Sequence, residues 1–149
     1  MKILLVEDDD YKANQIKDFL EKLDGKVEIR KSFKSGMQSL ANNIWDFVLL
    51  DMTIPSFEYS TLHTTSRNRK FGGRDILNEM KRKNIVFPTA VVTQYSVFGE
   101  EEISLEQLNQ ELMHDFSEMY KGIVFYNASA LDWQDSLLDI IKGENDKNV

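Results

Sequence analysis

Four oxygen-bearing side chains sit where apolar runs of the sequence stop. Ile3 to Val6 gives way at once to Glu7 and Asp8, Phe47 to Leu50 stops at Asp51, and the run in "FPTAVVTQ" closes on Thr93. If these runs are neighbouring parallel strands, three carboxylates and a hydroxyl meet at one sheet edge. Open α/β sheets collect their chemistry outside the carboxyl ends of their strands. Clustered carboxylates repel one another and are costly to bury unpaired. A divalent cation relieves both costs. Mg²⁺ takes oxygen ligands, keeps several waters and is typically held by one or two carboxylates.

The elements needed to position these groups are legible from pattern. After the first apolar run, Asp9 and Asp10 read as a helix start, since aspartate caps orphan N–H groups and favours the positive helix end. Ile16, Phe19, Leu20 and Leu23 recur at helical spacing, and Asp24-Gly25 ends that helix. "KVEIRK" alternates as a strand, "KSGMQSLANN" reads as a short helix, and "WDFVLLD" as the next buried strand. The stretch "PSFEYSTLHTTSRNRKFGG" has no period and reads as a long loop. "RDILNEMKRK" is a helix and "FPTAVVTQ" a buried strand. "SLEQLNQELMHDFSEMY" is a long helix, with Leu105, Leu108, Leu112, Met113 and Phe116 on one face. "GIVFYN" is the fifth strand and "LDWQDSLLDIIK" the last helix. Strands that are apolar without clean alternation mark a parallel sheet covered by helices on both faces. The expected fold class is therefore α/β, a doubly wound five-stranded sheet.

Composition narrows the function. The chain has 149 residues, the size of one domain, and a formal net charge of −7. That charge repels phosphate backbones and anionic lipid, so neither nucleic acid nor membrane is an expected partner. There is no cysteine, which excludes disulfides, thiol catalysis and cysteine-ligated metal. No apolar run approaches the ~18 residues of a membrane span. The expectation is a cytoplasmic protein. His63 and His114 read as surface or packing residues, and Trp45 and Trp133 as packing residues at element starts.

"KILLVEDD", "FVLLDMTIP" and "AVVTQ", in this order and at these strand ends, resemble the receiver domain of two-component response regulators. The resemblance covers about residues 1–142, with insertions at about 56–72 and 97–120 and a polar tail at 143–149. It implies the flavodoxin-like strand order 2-1-3-4-5. It implies that Asp51 is the phosphoacceptor, a carboxylate nucleophile towards the phosphoryl group of a donor histidine. Glu7, Asp8, Asp51 and the main-chain carbonyl of Thr53 would hold Mg²⁺, and the Thr93 hydroxyl would contact a phosphoryl oxygen. Gly73 would match the glycine that opens the third helix. The implied partners are a sensor histidine kinase or phosphotransfer protein and an unknown output protein, with room for a homodimer. Such a chain is a stand-alone phosphoacceptor that signals by docking, not an enzyme beyond phosphotransfer and slow self-dephosphorylation.

The sequence departs from the receiver pattern at the end of the fifth strand. Receivers carry a lysine there; this chain offers Tyr126, or Asn127 with a one-residue slip. Lys121 reads as preceding the strand, roughly 16 Å from the site end. The aromatic switch position becomes Ile123 or Val124, and Gln94 follows Thr93 where receivers keep a small residue. The basic residues Arg67, Arg69, Lys70 and Arg74 after Asp51 are candidates for a substitute cation, since guanidinium suits phosphate geometry. These departures also admit a pseudo-receiver, a binding module not controlled by phosphorylation. A Mg²⁺-dependent phosphohydrolase of the haloacid-dehalogenase kind would need an aspartate where Thr53 stands.

Overall fold

The computed structural model describes residues 1–56, 68–69, 72–99 and 101–147. Strands and helices alternate in the first half as β1 (Lys2–Val6), α1 (Asp10–Glu21), β2 (Lys26–Arg30), α2 (Phe33–Asn42) and β3 (Phe47–Leu50). Then come β4 (Ile54–Pro55), β5 (Asn68–Arg69), α3 (Gly72–Arg82) and β6 (Thr89–Thr93). The chain closes with β7 (Val97–Phe98), β8 (Ile103–Ser104), α4 (Leu105–Asp115), β9 (Tyr120–Phe125) and α5 (Asp132–Lys147).

Five strands form one parallel sheet in the order β2-β1-β3-β6-β9. Counted along the chain these are strands 2-1-3-4-5, the flavodoxin-like order. Side chains alternate across the sheet. Leu4, Val6, Val48, Leu50 and Val91 face one side and pack with α2, α3 and α4. Ile3, Leu5, Phe47, Leu49, Ala90, Val92 and Val124 face the other and pack with α1 and α5. Because both faces are covered, the central strands are apolar throughout, which is why their pattern lacks alternation.

Local chemistry starts the helices. Asp9 caps α1 by accepting the Lys12 N–H at 3.1 Å. Ser32 and Ser35 form a reciprocal capping box on α2. Ser104 caps α4 by accepting the Gln107 N–H at 3.1 Å.

Several sequence expectations need correction. The long loop after Asp51 is not without strands: Ile54–Pro55 pairs antiparallel with Asn68–Arg69. The fourth helix is shorter than its pattern, since it stops at Asp115, where Phe116 leaves helical geometry and turns the chain into β9. Met113 is exposed, because it lies one position off the stripe that buries Leu108, Leu112 and Phe116. Leu23 lies beyond the end of α1 and is exposed too. Lys121 does not precede β9 but is its second residue, and its ammonium meets Glu144 at 3.3 Å. The last helix continues through Lys147, so much of the polar tail is helical. His63 lies outside the described residues; His114 is exposed on α4 beside Asp115. Trp45 and Trp133 are buried, one in each core.

Candidate functional site

The parallel register sets the site. Val6 pairs with Leu50, and the Asp51 N–H donates to the Val6 carbonyl at 3.0 Å, so the residues after β1 and β3 emerge side by side. Glu7 is 1% exposed, Asp51 5% and Thr93 0%; Asp8 is half-buried. One ligand oxygen from each of Glu7, Asp8 and Asp51 can be chosen so that all three lie within 4.8 Å of one another. The expected carboxylate cluster therefore exists. Thr93 ends β6 beside it, its Oγ1 accepting the Tyr95 N–H at 3.2 Å. Thr53 lies two residues past Asp51, half-buried in the bend before β4.

The beginning of α3 presses on the same loop. The Gly73 N–H donates to the Met52 carbonyl at 3.0 Å. A Cβ on Gly73 would stand 2.6 Å from the Asp51 carbonyl oxygen and 3.2 Å from Met52 Cα. Only glycine allows the helix this close to the backbone of the Asp51 turn.

A fifth group, absent from the sequence reading, completes the site. Lys12 is 2% exposed, and its ammonium reaches into the cluster from α1. Nζ stands 2.5 Å from Glu7 Oε1, 3.3 Å from Asp51 Oδ1 and 2.8 Å from the Val92 carbonyl oxygen. The Met52 N–H also donates to Asp51 Oδ1, at 2.8 Å. The signal was in the helix period. Lys12, Ile16 and Leu20 stand four apart on the buried face of α1, and a lysine in that phase requires a carboxylate partner.

Electrostatics reflect crowding. Burial, then the charge of Asp51, pushes the Glu7 carboxyl up to about 8 against the pull of Lys12. Burial also raises Asp51, opposed by Lys12, and burial and Asp51 together raise Asp8. Burial alone would lower Lys12, but Asp51 and Glu7 reverse this and hold its ammonium above the usual value. With all three carboxyls ionised, as a metal would hold them, three carboxylates against one ammonium leave two negative charges among the described residues, the complement of one divalent cation. Glu7 Oε1 is buried with no hydrogen bond of good geometry beyond its ion pair. A hard, oxygen-seeking cation fits this donor set.

The other expected residues are placed as follows. Tyr126 follows β9; its ring packs on Trp133 and its hydroxyl donates to Gln15 Oε1 at 2.5 Å. Asn127 is exposed, its Oδ1 accepting the Ser129 N–H. Neither brings a cation to the strand end. Val124 is buried with α1 and α5, while Ile123 packs on the opposite core. Gln94 is exposed and donates to the Tyr95 hydroxyl at 3.3 Å. Arg74 pairs with Glu111 of α4 at 2.7 Å. Arg67, Lys70 and the side chain of Arg69 lie outside the described residues.

Known structures share this architecture. A CheY-like response regulator receiver domain protein from Methanospirillum hungatei superposes with a TM-score of 0.66 at 22% identity, covering 98% of this chain and 94% of that one. This is the receiver fold. The receiver domain of a putative Luxo repressor protein from Vibrio parahaemolyticus matches with a TM-score of 0.65 at 18% identity, over 99% of this chain and 94% of that one. In sequence, the chain is 28% identical over 144 residues to the Detocs response regulatory protein DtcB of Enterobacter cloacae, covering 93% of this chain and 96% of that protein. No family model matches the sequence. The acidic strand ends and the threonine stand at the C-terminal sheet edge of this fold, where β9 is followed by Tyr126 and Asn127.

Proposed function

We propose that this chain is a response-regulator receiver that accepts a phosphoryl group on Asp51 and signals by docking to another protein. The observation that carries this reading is the junction of Glu7, Asp8, Asp51 and Thr93 at one buried sheet edge, in a receiver fold. The Lys12 ammonium and the Met52 N–H both contact Oδ1 of the Asp51 carboxylate. Oδ2 is then the attacking oxygen. It forms the O–P bond while the P–N bond of a donor phosphohistidine breaks, and the freed imidazole leaves with the electron pair and takes up a proton. Glu7, Asp8, Asp51 and the Thr53 carbonyl would hold Mg²⁺, which when bound neutralises negative charge on the phosphoryl oxygens. The Thr93 hydroxyl donates to a phosphoryl oxygen and draws on the loop that leads to β7. The donor is a sensor kinase or a phosphotransfer protein, in the cytoplasm, and the output is a partner protein or a second copy of the chain.

Incubation with acetyl phosphate and Mg²⁺, read by intact mass, tests this. One phosphoryl adduct is expected on the wild type and none on Asp51→Asn. Absence of an adduct together with absence of Mg²⁺ binding would overturn the reading. It would favour a binding module that keeps the fold, a second reading supported by Tyr126 at the strand end and by an ammonium already paired within the acid cluster.

A further inference from the structure

We propose that Lys12, supplied by the first helix, is the cation that holds the phosphoryl group on Asp51. This rests on the reading of Asp51 as the acceptor, but it concerns a residue that neither the strand-end pattern nor the basic loop would nominate.

Three observations support it. The Lys12 ammonium is already at the acceptor, 3.3 Å from Asp51 Oδ1, the oxygen beside the one that takes the phosphorus. A group that ligates one carboxylate oxygen is within reach of a phosphoryl oxygen on the other. The same ammonium donates to the Val92 carbonyl at 2.8 Å, so it stands next to Thr93, the second expected phosphoryl contact. Finally, Tyr126 fills the strand-end position with a ring that backs Lys12, with Nζ 5.8 Å from its centroid. The Tyr126 hydroxyl turns away to Gln15, on α1 one turn beyond Lys12. Tyrosine thus occupies the space from which a β9 lysine would extend, and the charge enters from the facing helix instead.

The rival role for Lys12 is that of a plain counter-ion, neutralising Glu7 and Asp51. The two roles differ once a phosphoryl group arrives. A counter-ion competes with Mg²⁺ for the carboxylates and gains nothing from phosphorylation. A phosphoryl-holding ammonium transfers its contact to the new oxygens, as a charge-assisted hydrogen bond. It also keeps hold of the Val92 carbonyl, tying the modified aspartate to the end of β6.

The test uses beryllium trifluoride with Mg²⁺ as the phosphoryl mimic and compares wild type, Lys12→Met and Lys12→Gln. Circular dichroism establishes folding, and titration calorimetry reads Mg²⁺ alone and then the mimic. Both variants are expected to bind Mg²⁺ at least as tightly as wild type, since a competing cation is gone. They should bind the mimic about tenfold or more weakly, the scale of a lost hydrogen bond to a charged group. Wild-type affinity for the mimic in the variants would overturn the role of Lys12 and leave Asp51 as the acceptor. A wild type that binds Mg²⁺ but not the mimic, or neither, would overturn the acceptor reading and this proposal with it. If the variants do not fold, ¹⁵N-lysine spectra of the wild type decide, with the Lys12 signal assigned through Lys12→Arg. Adding the mimic to the Mg²⁺-loaded protein should shift the Lys12 ammonium signal, and an unmoved signal would refute the contact.

Discussion

At the scale of single residues, the site is a contest between burial and charge, and Glu7 is where burial wins. Its carboxyl is pushed up to about 8 from an ordinary value of 4.5, by burial first and by Asp51 second. In the unfolded chain it titrates near the ordinary value, so between the two values the folded protein binds the extra proton. Stability from this group is therefore complete at low pH and is lost as pH rises from about 4.5 towards about 8. Asp51 and Asp8 are raised as well and act in the same direction. In chelator-treated protein, denaturant midpoints should fall between pH 5 and pH 8, and Glu7→Gln should flatten that fall; an identical slope in the variant would mean that Glu7 does not carry the proton. Glu7, Asp8, Asp51 and Thr93 could be read from sequence because each ends an apolar run. Lys12 could not be read that way. It does not end a run, and its role depends on a helix phase and on a strand 80 residues away.

At the scale of elements, what positions Asp51 is the close seating of α3 against the turn after β3. Gly73 permits it, because any side chain there meets the Asp51 carbonyl within 2.6 Å. Gly73→Ala should therefore press its methyl against the backbone of Asp51 and Met52, which no rotamer change can relieve. The expected cost is about 1–3 kcal/mol, as for other overpacked sites. Mg²⁺ affinity should fall together with stability, since the displaced atoms belong to Asp51 and Met52. Chemical denaturation and Mg²⁺ titration read the two effects, and a variant with full Mg²⁺ affinity would show that the turn does not depend on this seating. The sequence revealed the main strands and helices where a period extends over many residues. It missed the pairing of β4 with β5 and of β7 with β8, each only two residues long, because no period can be read in a pair. It overran α4 because Phe116 continues the apolar stripe while its backbone has already left the helix.

At the scale of the whole molecule, the site sits on strands that divide two cores and belong to both. β1, β3 and β6 send alternate side chains to the α2–α3–α4 side and to the α1–α5 side. Neither core can lose its packing without loosening the strands that carry Glu7, Asp51 and Thr93. Each core also holds one of the two tryptophans, Trp45 in the first and Trp133 in the second. Single-tryptophan proteins, made as Trp45→Phe and Trp133→Phe, thus report the two sides separately. Each protein is expected to show a denaturation midpoint by fluorescence that coincides with its own midpoint by circular dichroism, as a two-state domain requires. Mg²⁺ at about 100 times its dissociation constant should raise stability by ~2.7 kcal/mol through linkage. Because the proposed ligands directly follow shared strands, both reporters should register that gain equally, and Asp51→Asn should reduce it in both. A gain seen only by Trp133, on the side that supplies Lys12, would mean that the α1–α5 layer unfolds by itself and that metal binding steadies one half of the molecule.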